Sequence, residues 1–224
     1  NGSWSPANPM SNIWSSSYKA IQICNQYLAE FQGLTFDELK LNDDYRAQMF
    51  RYTNSFKEAR FLRAYFYFNL VRAYGDVPYF TEMVTTDQVN SLTRTPAQEI
   101  FNAIIAECDK LSTELPADYT KLGLDGIAPA ENGRVTCYAA LALKARAALY
   151  AASPLFNPEN NKDLWRRAAE ANKEVIETCT ANGFKLSKYS ELWGPNNWSN
   201  NEMIFVRRYN GNISTLEEYN FPMG

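Results

Sequence analysis

The 224-residue sequence contains no histidine. That absence excludes Ser-His-Asp and Cys-His catalysis, histidine-ligated zinc and the usual proton shuttle near neutral pH. Cysteine is scarce, at positions 24, 108, 137 and 179 only, and no two form a CxxC pair. A zinc or redox motif is therefore not expected. All four cysteines fall within or at the start of predicted helices, where a free thiol acts as a small buried apolar group. There is no long basic run and the net charge is −3, which argues against nucleic-acid binding. Neither a glycine-rich phosphate loop nor a Gly-x-Ser-x-Gly elbow occurs. Asp125-Gly126 is too sparse for a calcium loop, so no metal or cofactor is expected. The acidic pairs Asp43/Asp44, Asp125/Glu131 and Glu217/Glu218 lie in polar, loop-like surroundings. Nothing singles one out as the acid and base of a glycosidase, and the chain is expected not to be an enzyme.

Aromatics, by contrast, are abundant, with 14 Tyr, 13 Phe and 5 Trp. The most apolar long run lies between Asn54 and Phe80. From Phe56 to Tyr74 nothing breaks a helix, and apolar residues occupy almost its whole circumference. Such a helix belongs in the middle of a packed protein. It is not a membrane span, because Glu58, Arg60, Arg63, Asn69 and Arg72 interrupt it. Those charges need partners, and neighbouring helices can supply acids or carbonyls. Gly75 suits a left-handed C-cap, and Pro78 keeps the helix from resuming.

The rest of the chain reads as helices joined by long polar loops. Ser11 is a candidate N-cap for an amphipathic helix through Trp14, Tyr18, Ile21, Leu28 and Phe31 that stops at Gly33. A polar connection follows, with a helical turn expected near Asp43 to Met49. Thr81 to Arg94 is a second polar connection, and Thr95-Pro96-Ala97-Gln98 then reads as a capping box opening a helix that Pro116 stops. An alanine-crowded helix runs from near Thr136 to Ser153-Pro154, and its small side chains suit close approach of neighbours. Asp163 is expected to cap a fifth helix closed by Asn182-Gly183, and Met203 to Val206 has a strand-like pattern. Leu62-Arg63-Ala64 lines up with Leu143-Lys144-Ala145, each in the second helix of a pair. Two helical pairs and half of a third match a tetratricopeptide-type stack, although the pattern alone leaves an irregular bundle open.

Glu58-Ala59-Arg60-Phe61-Leu62-Arg63-Ala64-Tyr65, followed by Leu70-Val71-Arg72-Ala73-Tyr74-Gly75-Asp76-Val77-Pro78, closely resembles the helical hallmark of the SusD/RagB family. Those proteins are surface lipoproteins that capture glycans for a TonB-dependent outer-membrane transporter. The resemblance implies an all-α fold: a degenerate tetratricopeptide-type helical repeat stack with long loops and a short C-terminal strand. It implies one helical-repeat domain over residues 1–224, incomplete at both ends, since the chain opens on Asn1 in mid-loop and closes on Gly224 just after the strand-like run. No signal peptide or lipidation cysteine is present, so membrane attachment would come through an anchor outside this chain. The implied role is non-catalytic capture of a glycan or other nutrient at the bacterial surface and its transfer to a SusC-like transporter. The alternative is a helical-repeat protein-interaction module without its own sugar site.

The hallmark contains no ligand-binding residues, so candidates come from composition. Trp4 and Asn8 lie in an Asn- and Ser-rich loop, and Trp193, Asn196, Asn197 and Trp198 lie in an Asn-rich segment that continues to Asn200 and Asn201. An indole covers the C–H face of a sugar while amides exchange hydrogen bonds with its hydroxyls. The same composition also occurs in loops that pack back on their own domain.

Overall fold

A computed structural model describes residues 13–124, 133–193 and 200–206. Within them six helices follow in order: α1 (Trp14–Glu30), α2 (Tyr45–Tyr74), α3 (Thr86–Ser91), α4 (Ala97–Glu114), α5 (Cys137–Ala152) and α6 (Lys162–Ala181). Short 3-10 turns occur at Asp37–Leu39, Tyr119–Lys121 and Tyr189–Trp193. The long helices pack in chain order: α1 on α2, α2 on α4, α4 on α5, α5 on α6. The paired units α1/α2 and α4/α5, with α6 opening a third, match the all-α repeat stack expected from the sequence. Among the described residues no helix is long and apolar enough to cross a membrane.

The central helix is longer than its apolar run. α2 takes in the turn expected near Met49 and reaches 30 residues, about 45 Å. Its Phe61, Tyr67, Phe68, Leu70 and Val71 are almost fully buried against Ile100, Phe101, Ile104 and Leu111 of α4 and Ile21 of α1. The alanines of α5 behave as expected: Ala139, Ala140, Ala145, Ala147, Ala148, Ala151 and Ala152 are all buried. Without bulky side chains, α5 accommodates α4 on one side and α6 on the other.

α2 ends at Gly75, with φ 69° and ψ −126°. The positive φ is as expected, but this ψ lies outside the left-handed helical well, in backbone space that only glycine enters readily. The chain therefore leaves in an extended conformation. Thr95 N–H donates to the Val77 carbonyl at 2.9 Å, an isolated antiparallel bridge. The following segment has no strand partner, and side chains satisfy its backbone instead. Tyr18 Oη donates to the Pro78 carbonyl (2.7 Å), and Tyr67 Oη donates to the Phe80 carbonyl (2.7 Å) while accepting from Phe80 N–H (2.9 Å). Arg63 donates to the Thr81 carbonyl (2.8 Å), and Asn25 Nδ2 to that of Glu82 (2.8 Å).

Several local expectations are corrected. Thr95 forms no capping box. Asp76 Oδ1 accepts from Ala97 N–H at 2.8 Å instead, and Gln98 Nε2 donates to the carbonyls of Ala151 (2.7 Å) and Phe156 (2.8 Å). The glutamine is used to tie the start of α4 to the end of α5. A capping box does form ten residues earlier, where Thr85 and Gln88 open α3 inside the stretch expected to be loop. Asn161, not Asp163, caps α6. Met203 to Val206 is not a strand: the chain bends at Ile204 and Phe205. A strand needs a ladder partner, and these side chains pack on helices instead, Phe205 edge-on to Phe61 at 5.5 Å and Ile204 on the main core. The Ser11 cap lies outside the described residues. The four cysteines are free thiols, with Cys24, Cys108 and Cys179 buried.

Candidate functional site

A cleft of about 600 Å³ opens where the loops on one end of the stack converge. Its walls come from four separate stretches. Pro116 breaks α4, and Asp118 caps the 3-10 turn by accepting from Thr120 N–H (2.9 Å), which turns Tyr119 inward. Arg134 and Thr136 precede α5, and Tyr138 lies in its first turn. The sharp end of α6 contributes Asn182 and Phe184, and the returning segment contributes Asn200, Asn201 and Phe205.

The walls are aromatic. Tyr119 and Tyr138 are nearly buried, and Phe184 stands edge-on to Tyr138 at 4.9 Å. Burial pushes the phenol groups of Tyr119 and Tyr138 above their ordinary range, so both remain neutral hydroxyls. The rim carries amides. Asn200 Oδ1 is engaged by Ser187 Oγ (2.6 Å) and accepts from Glu202 N–H (2.9 Å), which orients the side chain. Asn182 Nδ2 donates to the Thr178 carbonyl at 2.8 Å, leaving its oxygen as an acceptor.

Behind the aromatic wall, α2 supplies a buried polar centre. Arg134 donates from Nε to Glu58 Oε1 (2.8 Å) and from Nη2 to Oε2 (2.8 Å), a two-point ion pair. Asn54 Nδ2 donates to Glu58 Oε1 (2.7 Å) and to Tyr119 Oη (2.8 Å), and Tyr119 Oη donates to the Val135 carbonyl (2.7 Å). Glu58 thus joins the core helix to a residue of the cleft. The carboxyl of Asp118 is held below its usual range, chiefly by the hydrogen bond from the Thr120 hydroxyl.

Arg60, Arg63 and Arg72, the other α2 charges singled out from the sequence, have structural partners. Arg60 pairs with Glu107 (2.6 Å) and Glu114 (2.5 Å) of α4. Among the described residues Arg63 has no carboxylate partner; it donates to Asn25 Oδ1 (2.9 Å) and the Thr81 carbonyl. Arg72 stands 6.0 Å from the centre of the Phe68 ring. Among the described residues no group of His, Cys, Asp and Glu is placed to hold a metal.

Of the residues singled out from sequence, Trp4, Asn8, Asn196, Asn197 and Trp198 lie outside the described residues, and so does the side chain of Trp193, which closes a 3-10 turn. Their sequence neighbours Asn200 and Asn201 line the cleft. Sequence reasoning missed Asp118, Tyr119, Arg134, Tyr138, Asn182, Phe184 and Phe205. The available signals were faint: an aromatic inside a polar loop, and an Asn-Gly-Phe helix stop. A second concavity of about 500 Å³ lies beside the start of α2, lined by Phe36, Leu39, Tyr45, Met49 and Tyr52 among others. Its lining also includes the amides of Asn42 and Gln48 and the charged side chains of Asp44 and Arg51.

Comparison with known proteins agrees with this architecture. The model of a SusD-like family, described as starch-binding and associating with the outer membrane, matches residues 2–149. Two SusD-like proteins of Formosa agariphila are 23% and 26% identical over 197 and 210 residues, covering 88% and 92% of this chain but 31% and 35% of their own lengths. The chain therefore spans about a third of these relatives. A SusD-like carbohydrate-binding protein from Bacteroides fragilis superposes with a TM-score of 0.64 at 28% identity, covering 86% of this chain and 32% of that one. A laminarin-binding SusD-like protein gives 0.61 at 26% identity, covering 88% and 37%. The hallmark helix, the stacked fold and the family match over most of the chain agree: the chain belongs to the SusD-like family.

Proposed function

We propose that this chain is the helical-repeat part of a non-catalytic glycan-capturing protein of the bacterial outer membrane. The observation that carries this reading is the 600 Å³ cleft, which combines four aromatic side chains with three asparagines. Rings cover sugar faces, and amides and phenol hydroxyls exchange hydrogen bonds with sugar hydroxyls. The SusD-like relatives described as carbohydrate-binding and laminarin-binding support the same chemistry. Attachment by a lipid anchor, and transfer of the captured glycan to a SusC-like TonB-dependent transporter, complete the proposal. The indoles of Trp4, Trp193 and Trp198, with Asn8, Asn196 and Asn197, are proposed to extend the binding surface.

Affinity electrophoresis of the full-length protein in gels containing starch, laminarin and other polysaccharides tests the binding step. Retardation by at least one glycan, weakened by Phe205→Ala, supports the cleft. Absence of retardation across a broad panel overturns glycan capture. Copurification of a TonB-dependent transporter from detergent extracts tests the transfer, and its absence removes that step. The second reading, a protein-interaction module, draws on large apolar side chains left exposed, Leu41, Leu155 and Leu186 at 97%, 79% and 87%. Copurification of a soluble protein, with no glycan retardation, would favour it.

A further inference from the structure

Two of the four thiols come together at the end of the α5/α6 pair that frames the cleft. Two side-chain contacts set the register of these helices. Asn172 Nδ2 of α6 donates to the Ala145 carbonyl of α5 (3.4 Å), and Lys144 Nζ of α5 pairs with Glu174 of α6 (2.8 Å). A step back along α5 meets a step forward along α6, so the two helices run antiparallel. Cys137 lies seven residues before Lys144, and Cys179 seven residues after Asn172. Seven residues is about two helical turns, so each cysteine shares the face that makes those contacts. The register therefore sets Cys137 opposite Cys179. Two further contacts close this end. The Phe184 ring stands edge-on to Tyr138, the neighbour of Cys137, and Phe184 N–H donates to the Cys179 carbonyl (3.0 Å). Burial is the main cause that raises the Cys137 thiol above its ordinary range, and Cys179 is near enough to add to the rise. The alanines of α5 let α6 approach closely, and a disulfide needs Cα atoms within about 7 Å.

We propose that Cys137 and Cys179 are an oxidisable pair that closes to a disulfide, tying α6 to α5 beside the Tyr138–Phe184 wall of the cleft. The pairing follows from the helix register and stands apart from the glycan reading. α6 gains most from such a tie, because it packs chiefly on α5, with one hydrogen bond from Arg167 to Asn102 of α4 (2.8 Å). Cys137 is partly exposed among the described residues and Cys179 is buried, so Cys137 is the sulfur that an oxidant meets first. With a peroxide as oxidant, the Cys137 thiolate attacks one peroxide oxygen and the O–O bond breaks. The thiol proton leaves with the released hydroxide as water, and Cys137 becomes a sulfenic acid. The Cys179 sulfur then attacks the sulfenyl sulfur, the S–O bond breaks, and the Cys179 proton leaves with that hydroxide as a second water. Two thiols give up two electrons and two protons, and the peroxide is reduced to two waters.

The test treats full-length wild type, Cys137→Ser and Cys179→Ser with hydrogen peroxide, blocks remaining thiols with N-ethylmaleimide in denaturant, and maps peptides by mass spectrometry without reductant. Wild type is expected to yield a peptide pair joined through Cys137 and Cys179, which dithiothreitol separates. Cys24 and Cys108 are expected to be recovered as blocked thiols. Neither serine variant should yield the joined pair. Oxidised wild type should melt about 5 °C above the reduced form; dithiothreitol should remove the difference, and the variants should not show it. If a serine variant does not fold, the wild-type peptide map and the reversible melting shift decide. Absence of the joined pair from oxidised wild type overturns the proposal, whether Cys137 is left as a thiol or carried on to sulfinic acid. A dominant link from either residue to a different cysteine overturns it as well. A Cys137–Cys179 link that forms without raising the melting temperature overturns the tie of α6 to the stack.

Discussion

α2 carries two buried polar centres, about one turn apart, that do different work. At the first, Arg63 and Tyr67 clamp the extended segment after the helix, together with Asn25 and Tyr18 of α1. Every partner there belongs to the α1/α2 unit or to the segment it holds, and many are backbone atoms. At the second, Asn54 and Glu58 reach out of the unit to Tyr119 and Arg134, which belong to the loop before α5 and line the cleft. The first centre is closed: it supplies the side-chain partners that a strandless extended segment needs. The second couples the core to a surface that a ligand can touch. It is also less completely satisfied, because Asn54 Oδ1 is buried without a hydrogen bond among the described residues. Turning that amide over would not help, since it would aim the oxygen at Glu58.

Breaking each centre in turn tests this contrast. The largest effect is expected from Glu58→Ala, which removes the buried-side carboxylate to which Arg134, Asn54 and Tyr119 all donate. A loss of about 3 kcal/mol is expected from urea denaturation, with glycan retardation also weakened. Arg63→Met should cost about 2 kcal/mol, because Asn25 Oδ1 and the Thr81 carbonyl lose their donor. The folded fraction of that variant should bind glycan as wild type does; a selective binding defect would end the division into closed and coupled centres. Tyr67→Phe removes one hydroxyl that both donates and accepts, and about 1 kcal/mol of stability is expected to go with it, again without a change in binding.

Alkaline titration probes both centres together and has no effect at neutral pH. Burial raises the Cys108 thiol from 9.0 to about 12 and pushes Tyr67 and Tyr119 above their ordinary 10.0. Each group is neutral in the folded state where it would ionise when unfolded. Its stabilising contribution is therefore complete below pH 9.0 for the thiol and 10.0 for the phenols, and is lost as pH rises above those values. Denaturation midpoints should be flat from pH 7 and fall beyond about pH 9. A midpoint that is constant through that range would mean these groups are solvated in the native state.

Much of the fold was legible because its signals are local. The apolar circumference of α2 marked it as the core helix, Gly75 and Pro78 marked its end, and the run of alanines in α5 marked close packing. The charges on α2 implied partners, and Glu107, Glu114 and Arg134 are those partners. Local signals failed where a side chain had a distant claim on it. Gln98 has the spacing of a capping box, but the carbonyls at the end of α5 hold it. Met203 to Val206 has strand composition, but Phe61 and the helical core take its side chains.

The candidate site was barely legible for the same reason. Asp118, Arg134, Phe184 and Phe205 lie in four loops separated by whole helices, and no spacing rule relates them. Composition pointed at the Asn-rich segment, and Asn200 and Asn201 were its share of the cleft. The sequence by itself determined the long helices, their order and the absence of histidine chemistry, because periodicity, capping residues and composition act within a few residues or over the whole chain at once. Only the tertiary structure decided which loops meet, and with them the cleft and the pairing of Glu58 with Arg134. Those depend on how far each stacked helix carries its ends through space, a distance that no local pattern encodes.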